Sequence, residues 1–151
     1  MLLIIGFLFM ILVLAIVGIL SGVATVFIDL PSLSLILVSL LFFCLVSKSG
    51  KTIGNYIKTS FRKEHIYTVT KLTALSTALK NAIKFILALG GFGFMIGVIA
   101  SLAYLGSPER LGPNLAVSLL TLTYSIMITC FVFLPVQAWA DNKITTLKDE
   151  A

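Results

Sequence analysis

Residues 112–134, GPNLAVSLLTLTYSIMITCFVFL, decide how this chain is read. The stretch is apolar and long enough to cross a bilayer as a helix, which takes about 20 residues. Asn114, Ser118, Thr121, Ser125 and Thr129 nevertheless recur every three or four positions within it. At about 100° per residue they share one face roughly 80° wide. Hydroxyls and amides on such a face lack partners in hydrocarbon, so the face must turn toward another helix or a wet pathway.

The rest of the composition agrees with a membrane setting. The 151 residues are 59% hydrophobic and 11% charged, with a mean hydropathy of +1.12. A soluble domain of this length does not look like that. The formal charge is +5, and eight of the eleven basic residues fall between Lys48 and Lys84 with Glu64 as their single acid. This is the positive-inside pattern of a cytoplasmic loop. The same loop carries no nucleic-acid reader motif, so no nucleic-acid partner is expected.

Working outward, residues 2–27 form one apolar run and predict a first helix. No basic segment precedes it and it exceeds a signal-peptide core, so it reads as a permanent span. Gly18 and Gly22 in it make a small-xxx-small pair suited to close packing. Asp29-Leu30-Pro31-Ser32 predicts a tight turn that opens a second helix, about 31–47, with Asp29 facing solvent. The loop, about 48–81, holds two amphipathic helical pieces that continue from and lead into the membrane helices: Ile53, Tyr56, Ile57 and Phe61, then Val69, Leu72, Ser76, Leu79 and Ile83. His65 sits there among charged neighbours and reads as solvated.

A third helix is expected over about 82–105, where Gly90, Gly93, Gly97 and Ser101 share one face and predict tight helix contact. A short outer loop, 106–112, leads to a fourth helix, about 113–139. Pro113 stands at its start, Pro135 kinks it near the surface, and Trp139 serves as an interfacial anchor. A charged tail, 141–151, closes the chain. Cys44 and Cys130 lie in apolar helices without metal-ligand spacing and read as buried free thiols. No Walker loop, HExxH or triad is visible, so neither catalysis nor a cofactor or metal is expected. The fold class is all-α: a single four-helix integral membrane domain with both termini in the cytoplasm.

At this point two patches resemble the MotA/TolQ/ExbB family of ion-driven motor and energy-transducing proteins, and its MotA branch in particular. Phe27-Ile28-Asp29-Leu30-Pro31-Ser32-Leu33 is similar to the turn between that branch's first two helices. Met95-Ile96-Gly97, then Leu115 to Thr121 through Tyr124 to Phe133-Leu134-Pro135, is similar to its last two. The resemblance implies a homopentamer in the bacterial inner membrane, its third and fourth helices lining a channel around a single-span MotB/TolR/ExbD-like partner. That partner carries the ion-binding aspartate. Asn114, Ser118, Thr121, Ser125 and Thr129 would then line the pore, with Gly90, Gly93, Gly97 and Ser101 beside them. The alternative is a pentameric scaffold that does not conduct and holds a partner helix or lipid at its centre.

Departures from the family pattern are specific. Val98 and Leu122 stand where the family usually has threonine, and Ser125 where it has glycine, so part of the hydroxyl ring is missing. The loop and tail are also much shorter than the cytoplasmic domain through which flagellar stators engage a rotor. A flagellar torque generator is therefore not expected.

Overall fold

The computed structural model describes residues 2–22, 29–47, 49–61, 68–106 and 108–149. All regular structure among them is helical: α1 (Leu2–Ser21), α2 (Leu30–Val46), α3 (Ser49–Phe61), α4 (Val69–Leu102), α5 (Pro108–Ile128), a π-helical turn (Thr129–Phe133) and α6 (Leu134–Asp149). His65 and the Phe27-Ile28 part of the first family-like patch lie outside the described residues.

Two helices organise the molecule. α4 runs unbroken for 34 residues, about 51 Å at 1.5 Å per residue. The α5, π-turn and α6 segments form one continuous helix over Glu109–Asp149. Among the described residues, these two are the single helices long and apolar enough to cross a membrane. They run antiparallel, because Gly90, Gly93 and Gly97 meet Ser125, Thr121 and Ser118 in reverse order. α1 and α2 are apolar but shorter, with 20 and 17 residues, and each packs on this central pair.

Helix boundaries differ from the sequence expectation for identifiable reasons. α1 stops at Ser21, short of residue 27, because Gly22 adopts φ +68°, the left-handed position that commonly ends a helix. Gly22 is therefore a terminator and not the second half of a packing pair. α4 begins at Val69, so the amphipathic piece expected to lead into the third helix is continuous with it, and Leu72, Leu75 and Leu79 bury one face of its first turns. α5 begins at Pro108, a residue suited to a first turn, and Pro113 is internal to it. The charged tail is helical to Asp149.

The fourth helix passes Pro135 by widening before it. Proline brings no N–H and its ring crowds the carbonyl four residues earlier, here Phe131. The π-turn over Thr129–Phe133 relaxes that crowding, with the Leu134 N–H bonded to the Thr129 carbonyl. α1 approaches at this place: a Cβ on Gly6 would collide with the Phe131 carbonyl oxygen. Only glycine lets the two backbones come this close.

Aromatic pairs fasten each outer helix to the central two. Phe9 of α1 meets Phe131 edge-on at 5.5 Å, Phe43 of α2 stacks on Phe85 of α4 at 4.5 Å, and Tyr56 of α3 packs against Trp139 of α6 at 5.8 Å. Trp139 thus packs against another helix in addition to any interfacial role. The core between these helices is aliphatic, with Ile36, Leu79, Ala82, Ile86, Val136 and Ala140 fully enclosed.

Candidate functional site at the junction of α4, α5 and α2

The hydroxyl stripe of α5 faces the glycine face of α4. A Cβ at Gly90 would strike the Ser125 side chain, one at Gly97 would strike Ser118, and one at Gly93 would lie 2.7 Å from the Thr121 methyl. Each glycine accepts one short hydroxyl side chain, so the helices pack with little side chain between them. Ser118 is 1% exposed and Ser125 is fully buried. Thr121 and Thr129 are buried as well, and Asn114 is half-buried nearer the start of α5.

Burial on this scale requires hydrogen bonds, and most come from the helix itself. Ser118 donates to the Leu115 carbonyl at 2.7 Å and Ser125 to the Thr121 carbonyl at 3.0 Å. Across the contact Ser101, also buried, donates to Gly97 at 2.8 Å. Such back-bonding gives a hydroxyl in an apolar interface a partner, at a small cost to the helix. Thr129 differs: its buried hydroxyl has no partner among the described residues.

Thr121 reaches a third helix. Its hydroxyl lies 2.9 Å from the Ser32 hydroxyl and 3.1 Å from the Val117 carbonyl, and Ser32 in turn lies 3.4 Å from that carbonyl. With Thr121 donating to Ser32 and Ser32 to Val117, every proton is used once. Asp29 caps α2 by accepting from the Ser32 N–H at 3.0 Å. The Asp29 N–H donates to the Tyr124 hydroxyl at 3.3 Å. Asp29 is half-buried, so it is a capping residue against α5 and not a solvent-facing one.

This network fixes the height of α2. Its first turn meets Val117, Thr121 and Tyr124, which lie roughly 13 to 24 Å along α5 at 1.5 Å per residue. The start of α5 and the end of α4 project beyond it, exposing Ile96, Ile99, Leu102 and Leu115. At the opposite end Asp141 joins α6 to α4, accepting from Ser76 at 2.6 Å and lying 3.6 Å from Lys80.

The sequence pattern picked out both faces of the α4–α5 contact. It missed Ser32 and Asp141 as links between helices, although Ser32 follows a capping aspartate at the spacing of a cap and could have been read so. Cys130 is exposed on the helical surface and not buried; Cys44 is half-buried. Among the described residues no group of His, Cys, Asp or Glu is placed to hold a metal.

Comparison with known proteins gives partial likenesses. The chain is 36% identical over 64 residues, 42% of its length, to uncharacterized protein YtxD of Bacillus subtilis (strain 168). It is 37% identical over 63 residues, again 42% of its length, to chemotaxis protein PomA of Vibrio alginolyticus. The matched stretches cover 24% and 23% of those proteins, so the chain spans about a quarter of the length of the curated relatives it matches. No protein-family model and no solved structure matches it. What fold and comparison jointly support is an all-helical membrane protein with a partial likeness to a chemotaxis protein.

Proposed function

We propose that the chain is a MotA/TolQ/ExbB-like pore-forming subunit of an ion-driven complex in the bacterial inner membrane. The observation that carries this reading is the 37% identity to chemotaxis protein PomA, in a chain whose two long apolar helices pack as an antiparallel pair. In this reading α1 and α2 also cross the membrane, five copies form a ring, and α4 and α5 make its wall. The ring surrounds a single-span partner that brings the ion-carrying carboxylate. The hydroxyl stripe binds the two wall helices to each other, and Thr129, whose buried hydroxyl has no partner among the described residues, is the stripe member left to bond a group from outside the chain.

One observation favours a second reading, a scaffold that does not conduct. Ser118 and Ser125 already bond to their own helix carbonyls and are enclosed by α4, so they offer little to a passing ion. Proteoliposomes separate the two. With its partner, the pore-forming subunit should acidify the lumen under an imposed gradient, and Thr121→Val should abolish the flux. Flux that survives Thr121→Val removes the stripe from the path, and a pentamer that passes no ions with any single-span partner leaves the scaffold.

A further inference from the structure

One face of α4 is left uncovered along its whole length, and its chemistry changes once. Thr70, Thr73, Thr77, Asn81 and Lys84 are exposed on it. They are followed at the same helical spacing by Ala88, Phe92, Met95, Ile99 and Leu102, which are exposed too. At about 100° per residue all ten fall within an arc of about 100°. The hydrocarbon part, from Lys84 to Leu102, is about 27 Å long at 1.5 Å per residue, close to the ~30 Å core of a bilayer. The polar part begins where that core ends.

The polar part is also concave. A cavity of about 570 Å³ opens there, lined by Thr52, Thr70, Thr73, Thr77, Asn81 and Lys148, with Ala74 and Ala78 on its floor. α3 contributes Thr52 to the lining and the end of α6 contributes Lys148. Among the described residues that line the cavity none is a carboxylate. Lys84 lies on the same face of α4, one turn toward the membrane from Asn81. The cavity thus combines O–H and N–H donors with one cationic group, Lys148, and Lys84, just outside it, marks the level at which polar surface gives way to hydrocarbon.

From this we infer that the groove between α3, α4 and α6 binds the headgroup of an anionic phospholipid, whose acyl chains lie along Ala88, Phe92, Met95 and Ile99. The phosphodiester accepts hydrogen bonds from Lys84 and from Asn81 at the membrane end of the groove, and a glycerol-type headgroup extends into the groove toward Lys148. Basic pockets beside membrane helices on the cytoplasmic side hold acidic headgroups by this combination of charge and donors. Because α4 is one rigid helix, headgroup site and acyl track keep a fixed spacing. The inference depends on α4 crossing the bilayer and not on ion transport.

Thermal unfolding of the full chain in a neutral detergent tests it, with three additions compared: phosphatidylglycerol, phosphatidylcholine and sodium phosphate. Phosphatidylglycerol at saturation should raise the midpoint by about 3 °C, the size of shift that modest ligand stabilisation gives a chain of this length. Phosphatidylcholine and phosphate should give less than a third of that rise. Lys84→Gln combined with Lys148→Gln should leave the lipid-free midpoint unchanged and remove most of the phosphatidylglycerol shift. Lys71→Gln, on an exposed residue of α4 about 100° away from the groove face, should retain the shift. Lys148→Gln alone keeps the test open if the double variant fails to fold. Equal shifts from both lipids, a shift reproduced by phosphate alone, or a full shift in the lysine variants would overturn the inference.

Discussion

The α4–α5 pair and the more apolar helices α1 and α2 are held by opposite means. α4 and α5 approach through glycines and short hydroxyl side chains over three successive turns, Gly90–Ser125, Gly93–Thr121 and Gly97–Ser118. α1 and α2 are attached at separate points: Gly6 on the Phe131 carbonyl, two aromatic pairs, and Ser32 on Thr121. Away from those points they present large side chains outward, as at Leu20, 81% exposed, and Leu45, 76% exposed. Hydropathy thus tells which segments enter a membrane, while the placement of the smallest residues tells which segments touch. In lipid, where burying leucine against leucine gains little over burying it against acyl chains, close backbone approach is what distinguishes one packing from another.

Substitutions can break this contrast at graded cost. Gly97→Leu should be the most damaging, because its side chain meets Ser118 and the α5 backbone; a loss of about 3 kcal/mol would show as failure to recover folded protein in detergent. Gly6→Val should cost about 2 kcal/mol and release α1 alone, so that limited proteolysis cuts near the N-terminus while α4–α5 stays protected. An equal loss of protection in all helices would mean that α1 is integral to the central pair. Thr121→Val removes the bond to Ser32 and should cost about 1 kcal/mol, read from reversible unfolding, with α2 exchanging its amide protons faster. Asp141→Ala should cost no more, about 1 kcal/mol, nearly all of it the bond from buried Ser76, since the Lys80 partner is half exposed and screened. A larger effect would place Asp141 in a drier setting than the structure gives it.

Parts of this arrangement were legible in the residues and parts were not. Spacing alone aligned Gly90, Gly93 and Gly97 on one face and Ser118, Thr121 and Ser125 on another, because a periodicity of 3.6 converts sequence directly into a helix face. Helix ends were less legible. Gly22 fits a packing pair and a helix stop equally well until its φ is known. Pro113 resembles a helix start, yet Pro108, five residues earlier, fills that role. The π-turn leaves no trace in hydropathy, since it changes which carbonyl an N–H meets and not which residues are apolar. Asp141 in a polar segment reads as solvated until Ser76 is placed beside it.

The π-turn also resets the phase of everything that follows it. In an uninterrupted α-helix Asp141 would lie about 140° around the axis from Ser118, pointing away from α4. A π-turn absorbs roughly one extra residue, which takes back about 100° and brings Asp141 to within about 40° of the line on which Ser118 and Ser125 meet the glycines. It then reaches Ser76 at 2.6 Å. The five residues Thr129–Phe133 thus act as a timing correction between two stretches of one helix. The stretch before them is phased to α4 by glycines, and the stretch after them by a carboxylate.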